Sequence, residues 1–425
     1  VYKRQIYKQR CLNCDTKKLD EIKEKELWKQ TIKENIYVVC RTKMAATITK
    51  RTLNGYEDAE FNVVAYENII DEISKNSDKF AKEINSPKKW QKEGERMKFN
   101  AIVGNPPYQI GDGGNGVSAK PVYNLFIDQA KKINPEYLSM IVPARWYSGG
   151  KGLDKFRKEM LNDDSIRKIF DFENSNDIFT TVDIAGGLCY FLWQKNSHGL
   201  CEVVNHTKEG IMVSDRILNE FETFIRNGKA IEIVHKIIEK HGVDSTYLSD
   251  RVSSRKPFGL PTNYKPTDNG IPCWFIQKIG LRCANQNDVD DSNNYLNKWK
   301  FLVPKSPIAG QTDFTKPVGF YYDGNTKIAK PGECCTESFL VAGAFDTEKE
   351  VLSFKSYILT KTVRFLLLQS VVSQDVTKKN YCFVPDIGDY NTIYTDEILC
   401  KRWNITDDEW EYINSRIHNL SLIHI

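Results

Sequence analysis

No apolar run in this 425-residue chain approaches the roughly 18 residues a membrane-spanning helix needs. The amino end also lacks the charged, apolar, small-residue order of a secretory signal, so a cytoplasmic location and no membrane partner are expected. Internal repeats and low-complexity tracts are missing, which excludes solenoids and long disordered linkers. Neither sign of charge is in large excess. With 60 Lys and Arg against 56 Asp and Glu, the net charge of +4 neither makes nor breaks a nucleic-acid partner. The 11 cysteines are scattered, and Cys11 and Cys14 form the only C-x-x-C pair. A zinc site would need a second such pair or two histidines at matched spacing, and His198, Cys201 and His206 do not supply that spacing. The thiols are therefore expected to be reduced, and no metal is expected.

What is present is an ordinary globular composition, 40% hydrophobic and 27% charged, over a length that suits two or three domains. The opening Val1-Tyr2-Lys3-Arg4-Gln5 and the closing Ser421-Leu422-Ile423-His424-Ile425 are expected to be non-native peptides and are set aside. Up to about residue 200, short β-like runs alternate with amphipathic helices, the pattern of an α/β domain on a largely parallel sheet. Strands are predicted at residues 35–39, 62–66, 99–103, 137–142, 166–172 and 188–193, and helices at 43–53, 69–91, 121–133 and 154–161. The helix over 121–133 is the clearest, with Val122, Leu125, Phe126, Ala130 and Ile133 on one face. After about Asp215 the texture changes. A helix over 230–240 precedes a loop-rich stretch, and Thr406-Asp407-Asp408-Glu409 reads as a capping box opening a final helix.

The residues that carry chemistry are Asn105-Pro106-Pro107-Tyr108, which follow the apolar run Phe99-Asn100-Ala101-Ile102-Val103-Gly104. A buried strand ending in a rigid loop at its carboxyl edge is where open α/β sheets place ligands. Two consecutive prolines fix two φ angles and remove two backbone donors, so the loop presents carbonyl oxygens with little freedom to turn away. Such a loop suits a planar exocyclic amine, whose lone pair is delocalised and nucleophilicity poor. The Asn105 side-chain oxygen and the Pro106 carbonyl can each accept one amine hydrogen and aim the lone pair outward, by positioning and preorganised electrostatics. Tyr108 would stack on the base, which must leave the duplex to reach it.

On these residues the chain resembles adenine-specific (N6) DNA methyltransferases of Type II restriction–modification systems, of the Asn-Pro-Pro-Tyr type. The stretches Pro121-Val122-Tyr123-Asn124-Leu125-Phe126, Tyr137-Leu138-Ser139-Met140-Ile141-Val142-Pro143-Ala144-Arg145-Trp146 and Val182-Asp183-Ile184-Ala185-Gly186-Gly187 are similar to blocks of that family. The resemblance implies an α/β, Rossmann-like core dependent on S-adenosyl-L-methionine, followed by a mixed α/β target-recognition domain. It implies Asn105, Pro106, Pro107 and Tyr108 as catalytic residues, with Tyr108 and Phe179 stacking on the flipped base. The alternative reading of Phe179 is an ordinary core phenylalanine. It further implies cofactor contacts from Asn105 and Glu67, the latter also readable as a solvated turn residue.

One element of the family pattern is missing. No glycine turn precedes residues 35–39, and Val39-Cys40-Arg41 offers no acid for the cofactor ribose. The core is therefore expected to lack its first strand and glycine turn, with weak or no cofactor binding by this fragment. The expected organisation is an amino-terminal remnant (1–34), an incomplete catalytic domain (35–215), a linker helix (216–242), a target-recognition domain (243–389) and a helical carboxyl-terminal segment (390–425). Ser253-Ser254-Arg255-Lys256-Pro257-Phe258-Gly259-Leu260 resembles the start of the recognition domain, and Val371 to Lys379 its end. There, Arg255, Lys256, Gln374, Lys378 and Lys379 are candidates to meet phosphates or bases of double-stranded DNA, or are plain surface residues. Methyltransferases of protein glutamine or RNA guanine share the loop, but usually end soon after the catalytic domain. A DNA-binding specificity module without catalysis is a third reading. No cluster of acids and lysine marks a nuclease, so a nuclease partner would lie upstream or on another chain.

Overall fold

The structure is a computed structural model that describes residues 21–55, 60–111, 119–150, 152–181, 184, 186–207, 210–242, 245–276, 278–308, 311, 315–371 and 374–419. The Cys11–Cys14 pair, both terminal peptides, Val182, Asp183, Ala185, Val372 and Ser373 lie outside the described residues. The chain divides into two compact units: residues 1–100 with 124–135, and residues 101–123 with 136–425.

In the first unit, helix α1 (Glu21–Asn35) leads into strand β1 (Tyr37–Cys40), helix α2 (Lys43–Asn54) and strand β2 (Asn62–Ala65). The two strands pair in parallel, from Tyr37 opposite Asn62 to Cys40 opposite Ala65. Thr42 caps α2 by accepting from the Ala45 N–H, and Gly55 ends it at φ 61°, a left-handed turn that glycine adopts at low cost. The single helix predicted over 69–91 is instead α3 (Ile69–Lys75), α4 (Ser77–Ile84) and a 3-10 turn at Pro87–Trp90. Asn76, at φ −130°, breaks the first from the second, and Pro87 cannot continue the second. Ile69, Ile73, Phe80, Ile84 and Trp90 form the core, with Tyr37 and Phe99 edge-on to Trp90. Leu125, Phe126 and Ile133 of helix α5 (Tyr123–Ile133) pack against it.

The second unit is built on a six-stranded sheet. Its strands are β3 (Ala101–Gly104), β6 (Tyr137–Pro143), β7 (Ile166–Phe172), β8 (Leu188–Gln194), β9 (Cys201–Thr207) and β10 (Gly210–Arg216), in the order β10-β9-β7-β8-β6-β3. Two short strands, β4 (Gln109–Ile110) and β5 (Lys120–Pro121), pair beside the loop after β3, and helix α6 (Asp154–Leu161) joins β6 to β7. The largely parallel sheet expected from sequence is a mixed one. β3 with β6 and β7 with β9 are parallel, but β8 runs back between β6 and β7, and β9 with β10 is an antiparallel hairpin. The reason is visible in β8: Leu188, Cys189 and Phe191 are wholly buried, and an apolar run buried on both faces has no alternation from which to read direction. At the far edge β3 pairs, among the described residues, with β6 alone, and Val103 is 55% exposed.

Beyond the sheet, helix α7 (Gly228–His241) and the short helix α8 (Leu248–Arg251) precede six more strands. These are β11 (Ile271–Trp274), β12 (Leu281–Ala284), β13 (Trp299–Pro304), β14 (Lys327–Ala329), β15 (Cys334–Cys335) and β16 (Phe339–Phe345), in two three-stranded sheets. Helices α9 (Glu348–Leu359), α10 (Lys361–Leu368), α11 (Asp396–Trp403) and α12 (Asp407–Arg416) follow. One core unites α7, β13, β16 and these helices through Ile233, Val234, Ile237, Phe301, Leu340, Phe354, Leu366 and Trp403. Lys300 is wholly buried and donates to the carbonyls of Tyr295, Leu296, Lys298 and Lys330 at 2.6–3.1 Å, stitching two loops together. The predicted capping box is present, with Thr406 and Glu409 each bonded to the other's backbone N–H. No described helix is long and apolar enough to cross a membrane.

Candidate active site and nucleic-acid interface

Because β3 is parallel to β6, and β8 is antiparallel to both β6 and β7, strands β3, β6 and β7 all end at the same edge of the sheet. From the ends of these strands leave the Asn105–Tyr108 loop after β3, the 3-10 turn Ala144–Tyr147 after β6, and the segment carrying Phe179 after β7. Thus the sequence pattern and the sheet bring the catalytic candidates to one side of the second unit.

In the loop, Pro106 is buried while Asn105 stands exposed. Tyr108 is half-buried. Its carbonyl accepts from the Val122 N–H at 3.1 Å, which closes the loop on the start of α5. Its hydroxyl is buried with no hydrogen-bond partner, and burial, with the Cys189 sulfur nearby, pushes its pKa up to about 12. Phe179 is half-buried, held by its N–H to the Ser175 carbonyl at 2.9 Å.

The turn after β6 is fixed from behind. Ala144, Trp146 and Tyr147 are wholly buried, and only Arg145 among the four residues reaches outward. The Ala144 N–H donates to the Gly187 carbonyl at 3.1 Å and the Trp146 indole to the Cys189 sulfur at 3.4 Å. The Tyr147 hydroxyl donates to the Asp171 carboxylate at 3.0 Å. Asp171, fully buried, is clasped by Arg226 at 2.7–3.2 Å and by the Asn205 amide at 3.2 Å. Arg226 also donates to the Gly186 carbonyl at 2.6 Å. Beside it, Arg416 of α12 pairs with the buried Glu173 at 3.0 Å, tying the end of the chain to the end of β7. Sequence reasoning assigns no role to Asp171, Arg226, Glu173, Arg416 or Arg145. The available signal is an acid inside a buried apolar strand, which needs a cation partner from elsewhere in the chain.

The two stretches resembling the ends of a recognition domain meet in space. Arg255 pairs with Asp375 at 3.3 Å across 120 residues of sequence, and Asp375 also accepts from the Ser306 hydroxyl. Lys256, at φ 55°, and Lys378 are exposed, Gln374 is half-buried, and Lys379 reaches Asp154 of α6 at 3.4 Å. In the first unit, Glu67 follows β2 with its carboxylate open to solvent and Lys43 at 3.9 Å.

Residues 34–179 match the family described as Eco57I restriction-modification methylase. The chain is 40% identical over 106 residues to an "Uncharacterized adenine-specific methylase" of Mycoplasma pneumoniae, a match that covers 24% of this chain and 25% of that protein. Among solved structures it is similar to the ATP-dependent Type ISP restriction-modification enzyme LlaBIII bound to DNA. That match has 11% identity, 79% of this chain, 30% of the other and a TM-score of 0.41. It is also similar to the Type IIL restriction-modification enzyme MmeI in complex with DNA, at 9% identity, 79% of this chain, 50% of the other and a TM-score of 0.36.

Proposed function

We propose that this chain, whose residues 34–179 match the family described as Eco57I restriction-modification methylase, is part of a site-specific DNA methyltransferase acting on the N6 amine of adenine. The observation that carries the reading is the Asn105-Pro106-Pro107-Tyr108 loop, open at Asn105 and locked behind by Pro106 and the Tyr108–Val122 bond. The flipped adenine lies against the Tyr108 ring, with Phe179 the candidate for its other face. The Asn105 amide oxygen and the Pro106 carbonyl accept the two amine hydrogens. They draw the nitrogen toward tetrahedral geometry, and the excess proton leaves to water after transfer.

S-adenosyl-L-methionine, when bound, supplies an electrophilic methyl group. The contacts that the family resemblance would assign to it are Asn105 and Glu67, each exposed within its own unit, with Lys43 at 3.9 Å from Glu67. Selection of the surrounding sequence is assigned to residues 243–389, with Arg255, Lys256, Gln374, Lys378 and Lys379 meeting phosphates or base edges of double-stranded DNA. The length of chain after residue 179 favours DNA over a protein glutamine or an RNA guanine as the substrate.

The test is Asn105→Ala in the intact gene product. Methyl transfer to adenine is expected to fall by about a hundredfold or more while DNA affinity changes little, because the lost acceptor acts on the amine and not on the duplex. Near-normal turnover in that variant would end the assignment.

A further inference from the structure

We propose that Arg145 is a positioning residue that grips a backbone phosphate of the DNA strand carrying the target adenine. The inference rests on the methyltransferase reading of the loop and adds to it a contact that orients the strand. Arg145 emerges at the same sheet edge as Asn105, from a turn whose other three residues are wholly buried, so its backbone position is fixed. Its stem is sunk in the protein and its Nε is buried with no hydrogen-bond partner. Among the described residues no carboxylate forms an ion pair with it. The carboxylate of Asp375, which it faces at longer range, is already engaged by Arg255 and Ser306.

Its other neighbour is Tyr123, which is wholly buried. The adjoining Val122 N–H is bonded to the Tyr108 carbonyl, so Arg145 stands close behind the catalytic loop. Also near it is the segment that holds Asp375, Lys378 and Lys379, the last paired with Asp154 at the start of α6. Burial makes the guanidinium's charge harder to hold, only partly offset by Tyr123 and Asp375. A fixed, half-buried arginine with an unused donor is short of one anion. A phosphodiester oxygen pair fits the open end of its planar fork, accepting from the two terminal nitrogens while the buried Nε side stays anchored in the protein. Placed between the catalytic loop and the recognition residues, that contact would hold the backbone where the base leaves the stack.

The experiment measures binding of the intact protein to two labelled duplexes across a salt series. In one, a central adenine faces an abasic site and is easily extruded; the other is the same duplex fully paired. The wild type is expected to prefer the first. Arg145→Ala is expected to bind it about tenfold more weakly, to flatten the slope of log affinity against log salt by about one, and to lose most of the preference. Arg145→Lys should restore the slope and only part of the affinity, because an ammonium keeps the charge without the fork. If both variants keep the wild-type slope and preference, with at most a lower melting temperature, Arg145 is structural and the inference fails. Wild-type protein that binds neither duplex would overturn the methyltransferase reading itself, a result visible before any variant is made.

Discussion

Gly187 shows how tightly single residues hold the sheet edge from which the Asn105 loop leaves. It sits at φ 75°, and a Cβ added there would lie 2.0 Å from the Phe172 carbonyl oxygen and 2.7 Å from that of Glu173. Its own carbonyl accepts from Ala144, so anything that displaces it displaces the turn after β6. Gly187→Ala is therefore expected to lower the melting temperature by several degrees and to reduce methyl transfer together with it. Thermal unfolding followed by circular dichroism, beside an activity assay, checks this; an unchanged melting curve would contradict the geometry. Asn105→Ala is expected to separate these two readouts, falling in rate and not in stability, since its side chain projects outward. Of the candidate site, the loop Asn105 to Tyr108 could be singled out in the sequence because the chemistry proposed for it is local. Asp171 and Arg226 could not, because the two partners lie 55 residues apart, and Arg145 could not, because its neighbours Tyr123 and Asp375 come from other elements, which no spacing reveals.

At the level of elements, local signals fared well where the chain supplies its own boundary. The strand predicted at 166–172 and the helix at 154–161 coincide with β7 and α6, and the final capping box formed as read. The hairpin of β9 and β10 was not anticipated, and the direction of β8 could not be, since pairing partners are a tertiary choice. The closing helix α12 is also joined to α7, by Lys236 to Glu409 at 2.6 and 2.7 Å. Burial raises the Glu409 pKa, but bonds to Lys236 and Thr406 outweigh it and leave the pKa below 4.5. A carboxylate depressed on folding contributes stability that is present above its unfolded pKa and is lost as pH falls through the folded value. Glu409→Gln is thus expected to lower the urea midpoint at pH 7 and to leave it nearly unchanged at pH 3. An equal loss at both pH values would show that the charge plays no part.

For the molecule as a whole, the claim to test is a division of labour: the Asn105 loop selects adenine and residues 243–389 select its surroundings. Exchanging that segment for the one of a relative with different specificity, in an intact enzyme, should move the methylated sequence with the segment. Methylated adenines mapped by long-read sequencing would decide it, and methylation that stays with the catalytic half would sink the idea. The pairing of Arg255 with Asp375 gives the segment a seam near where it enters and leaves, and within it the Ser253 hydroxyl accepts from the Val341 N–H across 88 residues. In polymer terms the seam closes a long ring, and the entropy of closing a ring grows only with the logarithm of its contour. Doubling the enclosed chain adds about 0.6 kcal/mol. Insertions and deletions between seam residues are therefore nearly free of thermodynamic penalty, so the enclosed loops can drift in length over generations while the seam and the six-stranded sheet stay as they are.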